Sequence, residues 1–476
     1  MAWGGNDGAI DRWVKQLQEN DPKLKSLHIL SFRRVSAADL GRIFNAIGTN
    51  TVLEELYISG HALNVTVMDQ LSEALTINET LHTLNLGTST FGSDIDVFGL
   101  FCEGLAANEG LRKLDLENKG LLCNKQDKYR AIYLFAEALA KNKHLEELNL
   151  TRNELDDRAM EILAPALTGL LRINLGINNI QKLGAKAIAE QILVPSSKVE
   201  EMELSENPLL EGASLIAAAL GNATKLRVLK LVDVVSDQSD FTALTPPALG
   251  NSTKLEDDDA EKNNKKADEK RIKYGSALAS AIGQSLIKNK TVTHLWLDNN
   301  AIDSRALQSI TDNLLESNVI ELKLRQNLLN DEAACSLASA ASHRLKHLEL
   351  GENSIGPKGF GMLMDSQLNY LGLFNNAVGG FGADPANVPE LLTSRIQRLD
   401  IGCNKITHED VAAIADLLLK QGVPELKVLE MGGNVQDTEY EQWEETIARI
   451  LAQREDLDII WKRRPDQIDS TKPPVL

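Results

Sequence analysis

LEELNLTRNEL, residues Leu145 to Leu155, places three leucines at spacings of three and two, followed by an asparagine three residues after the last. The LxL portion alternates as a short strand does, so its two leucines point to one face and the residue between them to the other. An asparagine at that spacing can turn its amide into the bend and satisfy backbone groups that the end of the strand leaves unpaired. A unit this small cannot bury its own apolar face. It needs a like unit on each side.

Those units are present. LRINLGINNI (Leu171 to Ile180), VEEMELSENPL (Val199 to Leu209), VTHLWLDNNAI (Val292 to Ile302), VIELKLRQNLL (Val319 to Leu329), LKHLELGENSI (Leu345 to Ile355), LNYLGLFNNAV (Leu368 to Val378) and IQRLDIGCNKI (Ile396 to Ile406) repeat the pattern. Weaker copies begin near Leu24, Leu53, Leu81, Leu111, Leu226 and Leu426. About fourteen repeats result, mostly at intervals of roughly 25 to 30 residues. Between them lie segments such as RAMEILAPAL (Arg158 to Leu167), GAKAIAEQIL (Gly184 to Leu193), SRALQSITDNLLES (Ser304 to Ser317) and EDVAAIADLLLKQG (Glu409 to Gly422), whose apolar residues recur at helical spacing. The pattern predicts an α/β solenoid, a horseshoe with a parallel β-sheet on the concave side and one helix per repeat on the convex side.

Strand, asparagine, GxxxLAxAL-type helix and next strand resemble the ribonuclease-inhibitor-like subfamily of leucine-rich repeat proteins, over roughly residues 24 to 435. That subfamily includes ribonuclease inhibitors, sensor halves of innate immune receptors, tropomodulin-like actin caps and activators of the Ran GTPase. The resemblance implies the fold; function must come from the residues displayed on it.

The ends read as caps. In residues 1–23, Ile10, Trp13, Val14 and Leu17 share one helical face that would cover the first repeat; residues 436–476 hold a helix (Thr438 to Glu455), a strand (Leu457 to Trp461) and a breaker-rich tail. The repeat body, 24–435, is expected to be one domain with one large irregularity, a charged excursion over about 234–273. Its segment TKLEDDDAEKNNKKADEKRIK (Thr253 to Lys273) is nearly free of apolar residues and is expected as a loop leading into a helix over Tyr274 to Asn289. ALGNSTKL (Ala248 to Leu255) echoes ALGNATKL (Ala219 to Leu226), so a repeat that has lost its strand is the alternative. An excursion is preferred, because a missing strand would cut the sheet. A smaller insert, CNKQDKYR (Cys123 to Arg130), leaves from the same edge of the coil.

Composition narrows the function classes. With 50 Lys plus Arg against 68 Asp plus Glu, the net charge of −18 repels phosphate and disfavours a nucleic-acid partner, while suiting a basic protein partner. Four cysteines without a CxxC pair support neither a disulfide framework nor a zinc site, and eight scattered histidines offer no paired ligand spacing. No metal and no cofactor is expected. GENSIGPKG (Gly351 to Gly359) imitates a phosphate loop but has Pro357 where the lysine belongs. No apolar run is long enough to span a membrane and no signal-peptide pattern opens the chain, so a cytoplasmic location is expected. The N-x-[ST] tripeptides, those at Asn78 and Asn289 among them, are then chance matches.

No catalytic constellation emerges, which leaves the outward strand residues. Most are polar, Asp298, Glu349 and Asp400 among them; Trp296 and Phe374 are the exceptions. Flanking leucines already occupy the interior, so neither ring can turn inward without reversing its strand. With Tyr370, Lys323 and Arg325 they form an expected partner-binding patch of the residue types that dominate binding hot spots. The leading expectation is a non-enzymatic protein-interaction scaffold. Alternatives are a GTPase-activating protein of the Ran type, for which LLCNKQDKYR (Leu121 to Arg130) lacks a matching arginine loop, and a structural subunit of a cytoskeletal or ciliary assembly.

Overall fold

A computed structural model describes residues 7–237, 258–341, 344–382, 395–420 and 423–462. Contacts divide the chain into two compact units, Met1–Lys230 and Leu231–Leu476.

In the first unit eight strands lie parallel in chain order: β1 (Ser26–His28), β2 (Glu55–Ser59), β3 (Thr83–Gly87), β4 (Lys113–Asp115), β5 (Glu147–Asn149), β6 (Arg172–Asn174), β7 (Glu201–Glu203) and β8 (Val228–Lys230). Its helices are α1 (Asp7–Gln18), α2 (Ala37–Gly48), α3 (Val65–Ile77), α4 (Ile95–Ala107), α5 (Arg130–Lys141), α6 (Asp157–Leu167), α7 (Lys182–Gln191) and α8 (Ala213–Ala219). The second unit repeats the scheme with β9 (His294–Trp296), β10 (Glu321–Lys323), β11 (His347–Glu349), β12 (Tyr370–Gly372), β13 (Arg398–Asp400), β14 (Val428–Glu430) and β15 (Asp458–Ile460). Its helices are α9 (Asp258–Lys288), α10 (Ser304–Leu314), α11 (Asp331–Ala340), α12 (Pro357–Met364), α13 (His408–Leu419) and α14 (Tyr440–Leu451).

The inward leucines of each LxL are the floor of the core. Leu295, Leu297, Leu322, Leu324, Leu348 and Leu350 are all fully buried, and each helix lays its own apolar stripe against them, as Leu307, Ile310 and Leu314 do on α10. Asp156, Asp303 and Thr407 start their helices by accepting a backbone N–H three residues on, which satisfies donors that a helix's first turn leaves open.

The repeat asparagines form a buried ladder that joins each coil to the one before it. Asn178 Nδ2 donates to the Leu150 carbonyl of the preceding coil, while its Oδ1 accepts from the backbone of Asn153 and Leu155. Asn327, Asn404 and Asn434 each do the same toward the coil before their own. The early coils depart from the pattern. His61 stands in the asparagine position and reaches the Ile29 carbonyl; Lys119 stands there two coils later, buried, with Nζ donating to Ser59 Oγ at 2.7 Å and to the Gly87 carbonyl at 3.0 Å. A second ladder lies at the other end of the helices. Asn78, Asn108 and Asn142 each donate to two carbonyls of the preceding coil and accept the N–H of the first leucine of their own coil's LxxLxL run. Asn78 and Asn289 are buried. A glycan has no access to them.

The residue just before the ladder asparagine turns the chain out of its strand, and it does so in the left-handed region. Arg152, Ile177, Glu206, Asn299, Gln326, Glu352, Asn375 and Cys403 all have φ between 51° and 59°. The corner recurs because a parallel strand must leave the sheet within two residues of its last inward leucine to reach the helix layer.

At the large irregularity the two readings separate within the second unit. The Leu231 N–H donates to the Trp296 carbonyl and the Asp233 N–H to the Asp298 carbonyl, each at 2.9 Å, and Asn300 Nδ2 donates back to Leu231. Among the described residues no strand lies between these two segments. The expected loop over Thr253 to Lys273 is corrected in part: residues 258–273 continue α9 toward its N-terminus, making a helix of 31 residues. Composition misled here, because lysine, glutamate and alanine are also strong helix formers once a docked segment supplies the nucleus. The remainder of the 234–273 stretch, from 238 to 257, lies outside the described residues.

At the ends, α1 buries Ile10, Trp13, Val14 and Leu17, and α14 buries Trp443 beside Trp461, ring centroids 6.0 Å apart. The tail from 463 lies outside the described residues.

Candidate protein-interaction surface

Because the middle residue of each strand points inward, its first and third residues share the open face, and register lines them up in rows. In the second unit one row runs His294, Glu321, His347, Tyr370, Arg398; the next runs Trp296, Lys323, Glu349, Gly372, Asp400. Two residues further along each strand's exit come Asp298, Arg325, Gly351, Phe374 and Gly402.

All five patch residues lie on this face and are half-buried or partly exposed, but the structure gathers them as pairs. Lys323 Nζ stands 3.6 Å from the centroid of the Trp296 ring, within cation–π range. Trp296 Nε1 donates to Glu321 Oε1 at 2.7 Å, and Lys323 lies 3.3 Å from the same oxygen. Burial raises the Glu321 carboxyl, but Lys323 and the indole N–H outweigh it and hold the acid below the usual carboxylate range.

Tyr370 is tied to the preceding strand instead. Its ring stacks on His347 at 4.0 Å between centroids, its hydroxyl donates to Glu349 Oε2 at 2.8 Å, and Arg398 lies over its other side. Burial pushes the phenol above its ordinary value, with Glu349 adding to it, and burial lowers His347. Glu349 is buried, with its carboxylate laid over Gly372; a Cβ at 372 would stand 2.6 Å from the carboxyl carbon. Arg325 pairs with Glu352 at 2.7 Å and gives its backbone N–H to Asp298 Oδ1 at 2.6 Å. Burial pushes Asp298 up to about 6 despite that hydrogen bond and the nearby Lys323. Phe374 rests against Gly402, where an added Cβ would meet its ring at 3.0 Å.

The cations of the patch are therefore already engaged with carboxylates of their own face. What the surface offers is aromatic area with its polar ends satisfied and its side chains held in place. Glu349 was expected on the outward face but outside the patch, and Glu321 and His347 were not expected there at all. The signal for those two was strand alternation carried one residue back from the first inward leucine.

The first unit carries a different face. Glu147 stands between Lys113, at 3.0 Å, and Arg172, and these two cations outweigh its burial to hold it below the usual carboxylate range. Behind it Asn85 and Asn149 both donate to Asp115, giving an amide and carboxylate row without a large exposed ring beyond Tyr57. Among the described residues no group of three or more His, Cys, Asp or Glu side chains is placed to hold a metal ion. No described helix is long and apolar enough to cross a membrane.

Comparison with known proteins agrees with the repeats. Residues 6–126 match the TMOD/LMOD Leucine-rich domain, and residues 141–164 and 396–415 match the Leucine Rich repeat. The chain is 24% identical over 402 residues to NACHT, LRR and PYD domains-containing protein 14 of Mus musculus, taking in 79% of this chain and 38% of that protein. It is 25% identical over 313 residues to Protein CARMIL of Dictyostelium discoideum, taking in 61% of this chain and 27% of that protein. The chain thus spans well under half the length of these curated relatives. Among solved structures, a chain of the Rad7 and Elc1 complex in yeast aligns with a TM-score of 0.42 at 13% identity, over 90% of this chain and 89% of that one. Leiomodin-1 Actin-Binding Site 2 aligns with a TM-score of 0.29 at 20% identity, over 34% of this chain and 88% of that one. Leucine strands in register, asparagine corners and helices behind them, together with the two repeat families matched, make the chain a leucine-rich repeat protein.

Proposed function

We propose that the chain is a non-enzymatic protein-interaction scaffold that holds a partner protein on the open sheet face of its second unit, at Trp296, Lys323, Arg325, Tyr370 and Phe374. The observation that carries this is the fixing of three aromatic side chains on one polar face: Trp296 clamped by Glu321 and Lys323, Tyr370 by His347 and Glu349, Phe374 seated on Gly402. Side chains already immobilised lose little freedom on binding, so their contact area converts more fully into affinity. The reading keeps the repeat body at 24–435 with a cap on each side. Affinity purification from native cells with the wild-type chain and with Trp296→Ala/Phe374→Ala tests it. A partner recovered equally well by both removes the proposed face.

A second reading, a structural component of an actin-based assembly, is supported by the match of residues 6–126 to the TMOD/LMOD Leucine-rich domain. Co-sedimentation with filamentous actin and a pyrene-actin elongation assay test it directly. No change in either discards it.

A further inference from the structure

The first half of α9 is a charged helix that the repeat scheme does not require. The other described helices of the second unit run from 8 to 12 residues, whereas α9 has 31. Its second half is the ordinary repeat helix: Leu278, Ala279, Ile282 and Leu286 are buried, and Gly275 and Gly283 lie so close to the backbones of Asn300 and Ser309 that neither position has room for a Cβ. That seat fixes the helix axis. Arg271 extends the hold by one turn, its Nη2 donating to Asn299 Oδ1 at 3.1 Å.

Around Arg271 the helix presents Lys266, Lys270 and Lys273 at i, i+4 and i+7, which places them in one row on the side opposite the buried stripe. All three are exposed, and among the described side chains none is joined to a carboxylate in an ion pair. Residues 265–273 hold five cations against two carboxylates, in a chain whose net charge is −18. The row spans about 10 Å, the reach of two helical turns.

We propose that this lysine row docks an acidic helical segment of a partner protein. A complementary helix with glutamate or aspartate at the same spacing would meet all three ammonium groups in one register. A row of three lysines is too narrow for a duplex, and the acidic body beside it repels a nucleic-acid backbone. A membrane surface would need a larger basic cluster or an apolar face beside it, and the outward side of this helix has neither. The inference goes beyond the binding reading above. It uses a different surface.

The test is fluorescence anisotropy with the full chain and a labelled alanine-based helical peptide carrying glutamates at i, i+4 and i+7, beside the same peptide carrying lysines. The wild-type chain is expected to bind the glutamate peptide, Lys266→Glu/Lys270→Glu/Lys273→Glu to lose roughly tenfold or more in affinity, and that variant to bind the lysine peptide instead. Circular dichroism checks that the helix survives the substitutions. Equal affinity of the wild-type chain for both peptides, or no loss in the variant, overturns the proposal. So does a lysine-dependent gain for phosphatidylserine vesicles or single-stranded RNA in place of the peptide. Trp296→Ala/Phe374→Ala is expected to leave this binding unchanged, so failure of one surface is distinguishable from failure of the other.

Discussion

The carboxylate of Glu349 lies over the bare Cα of Gly372, its register partner on the neighbouring strand, in space that any side chain at 372 would occupy. Glu349 is held there by the Tyr370 hydroxyl and the Gly351 N–H. The glycine is thus part of the aromatic face without contributing an atom to it.

Gly372→Ala is expected to cost about 1 to 3 kcal/mol, because the methyl group must displace a buried, hydrogen-bonded carboxylate. In a Glu349→Ala background the same substitution should cost less than half as much. Denaturant unfolding of the four proteins in the cycle measures the coupling; simple additivity contradicts the placement.

Asp298 gives a pH signature. Burial raises its folded value from 3.8 to about 6, so between those two the folded state holds a proton that the unfolded state has released. Its contribution therefore stabilises the fold as pH falls through 6, and above 6 the buried charge is a cost. Asp298→Asn should be more stable than wild type by about 1 to 2 kcal/mol near neutral pH, with the advantage gone near pH 4. Thermal melts of both proteins across that range show it, and a constant difference at all pH values would exclude it.

Lys119 behaves in the opposite sense for a base. Burial lowers its folded value below the ordinary 10.5, so at alkaline pH under that limit the folded state sheds a proton that the unfolded chain keeps. Wild-type stability should rise relative to Lys119→Met as pH climbs toward 10.5. Parallel curves for the two proteins would place the ammonium in water instead.

Ile177 occupies the left-handed corner with a β-branched side chain at φ 53°, where Asn118, Asn299 and Asn375 serve the same turn elsewhere. Such a residue pays about 1 to 2 kcal/mol for the conformation. Ile177→Asn should raise the unfolding free energy by about 1 kcal/mol without altering the denaturant slope. A loss of stability would show that contacts of the half-buried isoleucine outweigh the strain.

Much of the fold was legible because it depends on periodicity. Leucine spacing places the strands, and alternation alone puts Trp296 and Phe374 on the open face. What alternation does not carry is which outward residues meet across strands. The clamp of Trp296 by Glu321 and Lys323 requires His294 to face Glu321, a register set by how neighbouring coils stack. Lys119 hid because it replaces an asparagine with a residue of unlike chemistry, doing by length what the amide does by geometry. Asn78 and Asn289 hid in tripeptides that resemble glycosylation acceptors. The first half of α9 hid because few apolar residues mark it, and a helix extended from a docked end needs few.

The asparagine ladder gives the molecule a direction. Oδ1 of Asn178, Asn327, Asn404 and Asn434 closes amides belonging to the coil before it, so a coil stripped of its C-terminal neighbour is left with open donors at its corner. A coil stripped on its N-terminal side loses acceptors for one amide group instead. Fraying is therefore asymmetric: amide hydrogens at the corners should exchange in a gradient that starts at the C-terminal margin of a shortened array and recedes inward, coil by coil.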